Sequence, residues 1–395
     1  MNIAYYSAAP FTPCGYGRCT KELVYKLLDK HHIDLYTYYG VDGGNFNYTL
    51  TGSKGPKQVQ VIGGNGDVVH ELCLQNSGKY DIVLAHFDLW MIVSKLRNAR
   101  GNWIWWSILD HEPVKIPTRQ LFNLKSFFAG IPMTEWGRQR LLECNDIPEE
   151  KVGPIIPHGI NINKWKPVKN AHIPGVPDDA EFVISTVTSN HVMRENNPVM
   201  LEGFAQFLKE TKADAYYIMF CYPVSNTGYH LIDIIHVLEQ MYDIKMSNRV
   251  VFKMPGMRYS DEYLRKVYSR ADVHLLTVAG SFEIPLLEAA CCGTPSIGLG
   301  SGGNAAVLDY GKRGIVIDKG YGMWMPGASS KLYFPKPEDI KDALITYYED
   351  RKLRKKHVSN MMKWIRREAT WDKVGKKWLK YLDEVEPELR KVGEV

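Results

Sequence analysis

Residues 280–295 read Gly-Ser-Phe-Glu-Ile-Pro-Leu-Leu-Glu-Ala-Ala-Cys-Cys-Gly-Thr-Pro, and they lead from a short apolar segment, Val273–Thr277, into a helical pattern. A helix that follows a strand in this way points its free N–H groups beyond the strand's carboxyl end. Glu283 and Glu288 bracket the start of the helix, where a carboxylate can accept two hydroxyls of a ribose or sugar while N–H groups face phosphate. Glu288 alone would fit an ordinary surface helix, but the whole pattern favours a ligand site.

Outward from this stretch, strands alternate with helices throughout the second half of the chain. A glycine run, Gly300–Asn304, follows the next strand and could form a second phosphate-facing turn. The predicted strands are Phe182–Val187, Ala215–Cys221, Arg249–Lys253, Val273–Thr277, Pro295–Gly298 and Gly314–Ile317, and the predicted helices are Pro198–Glu210, Tyr229–Met241, Asp261–Ser269 and Pro285–Cys292. This alternation is typical of a parallel sheet covered by helices.

The first half opens with the same alternation. A helical pattern with Leu23, Leu27 and Leu28 on one face separates the first two predicted strands, and the Gly-, Asn- and Thr-rich stretch Gly40–Gly66 is interpreted as a long loop. The predicted strands here are Asn2–Ser7, Ile33–Tyr38, Asp81–Ala85, Trp103–Leu109, Phe127–Ile131 and Gly153–Ile156. We therefore expect two α/β units.

A Pro- and Lys-containing stretch, Lys164–Pro177, has the composition of a linker. We predict an N-terminal domain at 1–166, a linker at 167–177 and a C-terminal domain at 178–370. Ligands of parallel sheets bind beyond the carboxyl ends of the strands. The cleft between two such domains is therefore the expected site.

Composition excludes several classes of protein. The 395 residues are 45% hydrophobic and 24% charged, with 49 Lys+Arg against 44 Asp+Glu, as in ordinary globular proteins. The longest apolar runs have the length of strands, and Met1–Ala9 lacks the basic region of a secretory signal, so we expect a cytoplasmic protein. Seven cysteines without a Cys-x-x-Cys pair, and no His-Glu-x-x-His, favour neither disulfides nor a structural zinc site. No metal and no cofactor are expected.

Charge is concentrated near the C-terminus, where Arg351–Lys380 holds twelve Lys/Arg and two acids. Two apolar stripes at helical spacing predict two helices there, with Leu353, His357, Met361 and Ile365 on one and Trp371, Val374, Trp378 and Leu382 on the other. Both stripes could simply pack on the protein body. The basic outer face would in addition attract anionic lipid, so we expect peripheral membrane contact through 351–380. Because the rest of the chain is net acidic, nucleic acid is not an expected partner.

Two further segments end predicted strands with polar or glycine-rich sequence. Cys14-Gly-Tyr-Gly-Arg18 precedes the first helix, where Gly15 and Gly17 would let backbone N–H groups approach an anion or would form a plain tight turn. Three ionisable groups follow an apolar strand in the segment Leu109-Asp-His-Glu-Pro113. This position suits acid–base catalysis or substrate orientation, although an ordinary surface turn could have the same sequence. His86 follows a strand in the same way, whereas His158 fits a structural role.

The stretch 280–295 resembles the donor-binding signature of the GT-B glycosyltransferases of family 4, Glu-Gly-Phe-Gly-x-Pro-x-x-Glu-Ala-x-x-x-Gly-x-Pro. Other segments resemble the same family in the same order: Ile131–Arg138, Ile156–Asn161 with Trp165–Pro167, and Thr370–Val374, the start of a last helix that returns to the first domain. The resemblance implies two Rossmann-like domains facing each other across a cleft, with residues 371–390 rejoining the N-terminal domain.

The resemblance also implies a function: retaining, metal-independent transfer of a sugar from a nucleotide-sugar to an acceptor glycan, lipid or protein. No Asp-x-Asp motif of the metal-dependent fold is present. The N-terminal domain would present the acceptor and the C-terminal domain would hold the donor. By the same resemblance the catalytic candidates are His111, Asp110 and Glu283, and the donor-binding candidates are Gly15, Gly17, Arg194, Ile284, Leu286, Leu287, Glu288, Gly302, Gly303 and Asn304.

Two positions depart from the family pattern. The first acid of its Glu-x7-Glu pair falls on Gly280, and Glu283 stands at the fourth position instead. The usual lysine position is Glu195, with Arg194 beside it, and a carboxylate near a diphosphate is repulsive. Two alternatives therefore stay open: a GT-B protein that binds nucleotide or glycan without turnover, and a phosphorylase-like enzyme that uses inorganic phosphate.

Overall fold

The computed structural model describes residues 1–254, 260–325 and 328–389, and it is a mixed α/β structure. It divides into two compact units. Unit 1 comprises 1–109, 113–159 and 368–395, and unit 2 comprises 110–112 and 160–367. Residue 390, which ends the predicted last helix, lies outside the described residues.

The secondary structure follows the predicted alternation. The strands are β1 (Asn2–Ser7), β2 (His32–Thr37), β3 (Gly43–Gly52), β4 (Gly55–Gly64), β5 (Ile82–Ala85), β6 (Trp103–Ser107), β7 (Phe127–Pro132), β8 (Phe182–Val187), β9 (Ala215–Phe220), β10 (Val250–Phe252), β11 (Val273–Leu276), β12 (Ser296–Leu299), β13 (Ile315–Ile317), β14 (Tyr321–Trp324) and β15 (Lys331–Phe334). The helices are α1 (Gly15–Leu27), α2 (Gly66–Asn76), α3 (Val93–Leu96), α4 (Ile116–Phe122), α5 (Glu135–Leu142), α6 (Asn197–Thr211), α7 (Leu231–Tyr242), α8 (Asp261–Arg270), α9 (Ile284–Cys291), α10 (Gly303–Val307), α11 (Pro337–Glu349), α12 (Arg351–Glu368) and α13 (Trp371–Val385).

Unit 1 is built on a seven-stranded sheet with the order β3-β4-β2-β1-β5-β6-β7. Its strands are parallel except for β3, which runs antiparallel to β4. Every residue of β6 is buried, as expected for a strand covered by helices on both faces. The predicted stripe of α13 is confirmed, since Trp371, Val374, Trp378 and Leu382 are all buried. That helix lies beside α1, and Lys26 of α1 forms an ion pair with Asp372.

Unit 2 is built on a six-stranded parallel sheet with the order β10-β9-β8-β11-β12-β13. Its main core lies between this sheet and the helices α6, α7 and α11. The predicted stripe of α12 is confirmed at His357, Met361 and Ile365, which are buried, while Leu353 is half-buried. Within the described ranges, none of the helices combines the length and the apolar character needed to cross a bilayer.

The predicted loop at Gly40–Gly66 was wrong, because β3 and β4 form a hairpin there. Its glycines and asparagines suggested a loop, but alternating residues of β4 are apolar, and Val59 and Val61 are buried. The outward side chains pair across the strands, as between Gln60 and Asn45 at 2.7 Å. A half-exposed edge hairpin tolerates this polar composition better than a central strand would.

Two other interpretations also need correction. Gly153–Ile156 is extended but not a strand, and its neighbour Val152 makes only an isolated bridge to Gly130 of β7. The stretch 167–177, predicted as a linker, packs on unit 2. Ile173 and Val176 are buried there in a small apolar cluster.

A stability prediction concerns Trp378 in the core of unit 1. Its side chain is fully buried, and its ring packs edge-on against that of Trp106 with 5.4 Å between the ring centroids. Trp378→Ala should lower the free energy of unfolding by about 3–5 kcal/mol, because it opens a large cavity. In the described part of the chain the indole N–H of Trp378 has no hydrogen-bond partner. Trp378→Phe should therefore be much milder. Thermal unfolding of both variants, with the 61% exposed Met91→Ala as control, measures this; equal losses for Ala and Phe would contradict it.

Candidate functional site

Asp110 and His111 lie shortly after the end of the buried strand β6, in the segment 110–112 that belongs to unit 2. The segment is held by Glu112, whose Oε1 lies 2.5 Å from Lys319 Nζ and whose carbonyl accepts the Lys331 N–H. The Asp110 carboxylate contacts Nδ1 of His111, and the two side chains are only 18% and 10% exposed. A carboxylate at Nδ1 fixes the orientation of an imidazole for work at Nε2.

Glu283 lies over the backbone of Gly280. A Cβ built on Gly280 would lie 2.8 Å from Glu283 Cδ and closer still to its Oε1, so the carboxyl fills the space of a missing side chain. Glu283 is also the residue that immediately precedes α9. The structure therefore brings an acid to position 280 from three residues further along the chain.

The surroundings of Glu283 change its acidity. The pKa of the Glu283 carboxyl is raised to about 7: burial is the largest cause, Arg194 opposes it, and the carboxylates of Glu195 and Asp110 reinforce it. Three predicted site residues, Asp110, Arg194 and Glu283, therefore interact electrostatically within unit 2. A carboxyl with a pKa near neutrality is protonated about half the time at pH 7, which is typical of functional sites.

Glu195, at the position where the family has lysine, turns inward. It is 4% exposed, and its two oxygens accept hydrogen bonds from the hydroxyls of Thr188 at 2.7 Å and Ser189 at 2.6 Å. Arg194 Nε lies 3.6 Å from Glu195 Oε1, while the Arg194 side chain is 54% exposed. The hydroxyls and the guanidinium together offset the charge of Glu195, which reduces its repulsion of an anion.

The start of α9 carries four more predicted donor-binding residues. Ile284, Leu286 and Leu287 have buried side chains, and the Leu286 N–H donates to the Glu283 carbonyl at 3.2 Å. Glu288 lies in the second turn and is 1% exposed, and its Oε2 accepts the Tyr268 hydroxyl at 2.9 Å. One face of the carboxylate is thus oriented by a tyrosine.

The glycine run after β12 packs against the same turn. Gly302 has a φ of +73°, and a Cβ there would lie 2.6 Å from the Gly280 carbonyl oxygen. The Gly303 N–H donates to that oxygen at 2.7 Å, and the buried Asn304 donates to the Val278 carbonyl at 2.8 Å. These contacts fix the shape of the Gly280 turn.

The glycine loop of unit 1 leads directly into α1. Gly15 begins the helix with open space where a Cβ would stand, whereas a Cβ on Gly17 would lie 2.7 Å from the Ala9 carbonyl oxygen. Cys14 caps the helix through a contact between its Sγ and the Gly17 N–H at 3.4 Å. Gly17 therefore shapes the loop, and Gly15 leaves the backbone accessible.

One cluster in unit 1 was not found from the sequence. Cys19, His86 and His158 are buried together, and one ligand atom from each lies within 4.8 Å of the others. Separations such as the 72 residues between the two histidines form no local motif. The position of His86 after a strand was the one signal available, and it did not reveal its partners.

Comparison with known proteins identifies a segment and a fold. Residues 229–349 match the family model described as Glycosyl transferases group 1, and this segment includes all of 280–295. No curated protein sequence matches the chain.

Solved structures match nearly the whole chain. HepE from Anabaena in complex with UDP and glucose has 14% identity and a TM-score of 0.66, covering 97% of this chain and 100% of that one. Sucrose-phosphate synthase from Thermosynechococcus elongatus has 15% identity and a TM-score of 0.69, covering 98% and 100%. The α,α-trehalose 6-phosphate synthase from Burkholderia multivorans has 10% identity and a TM-score of 0.66, covering 98% and 99%.

The predicted fold class and resemblance are thereby confirmed. The chain has the α/β fold of the GT-B glycosyltransferases, and residues 229–349 carry a group 1 glycosyl transferase segment.

Proposed function

We propose that the chain is a glycosyltransferase that moves a sugar from a nucleotide-sugar, with retention and without a catalytic metal, to an acceptor glycan, lipid or protein. The observation that carries this proposal is the Glu283 carboxyl, which fills the side-chain space of Gly280 directly before α9. It supplies the acid that the family pattern has at position 280. The group 1 segment and solved structures that hold UDP with glucose, or UDP-glucose, support the same donor class.

In this proposal each candidate site residue of unit 2 has a role. Glu288, oriented by Tyr268, accepts hydroxyls of the donor ribose, and the backbone around Ile284, Leu286 and Leu287 faces the diphosphate. Arg194 supplies positive charge, and Glu283 contacts the donor sugar. His111, oriented by Asp110, stabilises the transition state at the sugar. Gly302, Gly303 and Asn304 shape the Gly280 turn.

A screen of thermal shifts with UDP-, GDP- and ADP-sugars, and with plain phosphate, tests the donor class. Nucleotide-sugars should stabilise the chain and phosphate should not, and nucleoside diphosphate should then be released on incubation. Stabilisation by phosphate alone would favour the phosphorylase-like alternative. Stabilisation by a nucleotide-sugar without any release, over a range of acceptors, would favour a binding protein, for which the buried carboxylate of Glu195 is the structural argument.

We further propose that the outer face of α12 contacts anionic membrane. Its exposed charged residues are all basic: Arg351, Lys352, Lys355, Lys356, Lys363, Arg366 and Arg367. Each basic residue near an anionic surface contributes roughly 1 kcal/mol, which salt screens.

The first prediction from the site concerns Glu288. Glu288→Ala should weaken nucleoside diphosphate binding by about 10–100-fold, because charge-assisted hydrogen bonds to the ribose are lost. Tyr268→Phe is the matched control, since it removes the internal hydrogen bond and keeps the carboxylate. Calorimetry on both variants measures the difference. Unchanged affinity in Glu288→Ala would mean that the carboxylate serves packing alone.

The second prediction uses the pKa of Glu283. Above about pH 7 its carboxylate is ionised and repels the diphosphate, so UDP-glucose should bind about fivefold more weakly at pH 8 than at pH 6, which is roughly 1 kcal/mol. UDP-glucose suits the test because its diphosphate is esterified at both ends and does not titrate in this range. Glu283→Gln should abolish the pH dependence and lower transfer more than binding; a Gln variant with the wild-type pH profile would contradict the assignment.

The third prediction concerns catalysis at His111. His111→Ala should lower the rate of nucleoside diphosphate release by more than 100-fold with little change in donor affinity, because the interaction is made in the transition state. Asp110→Asn should show a smaller loss, since it disturbs orientation only. His236→Ala, an exposed histidine of α7, is the control. A fully active His111→Ala variant would remove the role.

The fourth prediction concerns the membrane. The chain should sediment with anionic vesicles at low salt, and the double variant Lys352→Glu/Lys355→Glu should lose this binding. The control is the double variant Lys209→Glu/Lys245→Glu, which makes the same charge change at exposed lysines elsewhere in unit 2 and should keep vesicle binding. Equal sedimentation with neutral and anionic vesicles, or equal losses in the two variants, would count against the proposal.

A further inference from the structure

Three metal-ligating side chains meet inside unit 1. Cys19 lies on α1, His86 directly follows β5, and His158 lies in the irregular segment between α5 and β8. They are 0%, 0% and 7% exposed. Nε2 of His86 lies 3.0 Å from Nε2 of His158, and one ligand atom from each of the three residues lies within 4.8 Å of the others. Nothing in the proposed sugar transfer uses this cluster.

The chemistry of the cluster suits a zinc ion. Bonds of about 2.0–2.3 Å around a tetrahedral zinc place neighbouring ligand atoms roughly 3.3–3.8 Å apart. Small side-chain shifts from the present arrangement, with the two Nε2 atoms 3.0 Å apart and all three ligand atoms within 4.8 Å, would reach that geometry. To bind the ion, the imidazoles must be neutral and the Cys19 sulfur must be a thiolate. A donor set of one sulfur and two imidazole nitrogens favours zinc over calcium or magnesium.

Aromatic side chains hold the two imidazoles in place. The Trp106 ring lies 4.6 Å from His86 and 4.7 Å from His158, and the Tyr16 ring lies 5.0 Å from His86. Trp106 is itself fixed, since its indole N–H donates to the Ile156 carbonyl at 2.8 Å. A site whose ligands are already oriented loses little conformational entropy when an ion binds.

We propose that Cys19, His86 and His158 bind one zinc ion within unit 1, with a fourth position left to water. Binding forms bonds from zinc to the Cys19 sulfur and to one nitrogen of each imidazole, and the Cys19 thiol proton leaves to solvent. The ion ties α1 to the end of β5 and to the segment between α5 and β8. Its role is to stabilise unit 1, and it is separate from the proposed metal-independent transfer in unit 2.

The test uses the full chain, freed of metal by chelation and dialysis, and then titrated with Zn²⁺. One equivalent should bind and should raise the unfolding temperature, because a ligand that binds the folded chain stabilises it. Co²⁺ should give a thiolate-to-cobalt charge-transfer band and the intense visible bands of a four-coordinate ion. Failure of the wild-type chain to bind one equivalent of Zn²⁺ would overturn the proposal without any variant.

Variants assign the ion to these residues. Cys19→Ser should lose the charge-transfer band, while Cys73→Ser, which alters another buried cysteine of unit 1, should keep it. His158→Gln should weaken Zn²⁺ binding by roughly 100-fold. This variant replaces Cys19→Ser as the test if circular dichroism shows that Cys19→Ser does not fold. A band that survives in Cys19→Ser and is lost in Cys292→Ser would place the ion at the adjacent cysteines of unit 2 and overturn the proposal.

Discussion

The candidate site of unit 2 depends on the absence of a side chain at Gly280. Its missing Cβ leaves space for the Glu283 carboxyl, and the missing Cβ of Gly302 lets that residue lie against the Gly280 backbone. Its carbonyl oxygen accepts the Gly303 N–H at 2.7 Å. The turns before α9 and α10 therefore meet at Gly280, and a larger residue at position 280 would displace the Glu283 carboxyl.

The departures from the family pattern become consistent when they are considered together. Loss of the acid at 280 is matched by an acid from Glu283 in the same space, and the replacement of lysine by Glu195 is moderated by Thr188, Ser189 and Arg194. The glutamate at position 195 both removes positive charge and adds negative charge near the place proposed for a diphosphate. Burial is the main cause of the raised pKa of Glu283, and the neighbouring carboxylates of Glu195 and Asp110 add to it.

The fold could be predicted from the sequence because its signal is local. Alternating strands and helices, and motifs such as 280–295, lie within short windows, and most of the predicted strands and helices of unit 2 match the structure to within one or two residues. The hairpin β3–β4 was missed because edge strands carry the polar and glycine-rich composition of loops.

The parts of the site that sequence could not provide are long-range. That Glu283 folds back over Gly280 depends on its rotamer, and that Glu195 is bound by two hydroxyls depends on how the residues before α6 turn. Cys19, His86 and His158 meet only because α1, β5 and the segment between α5 and β8 converge in space. No spacing rule connects them.

The raised pKa of Glu283 makes the free energy of unfolding depend on pH. A carboxyl whose pKa rises from 4.5 to about 7 on folding binds a proton more tightly in the folded chain. The folded state is therefore not penalised below pH 4.5, is penalised increasingly as the pH rises to 7, and is destabilised by about 3 kcal/mol above that. Glutamine would fill the same space over Gly280 without this penalty. Packing alone therefore does not account for a carboxyl at this position, whereas the proposed contact of Glu283 with the donor sugar does.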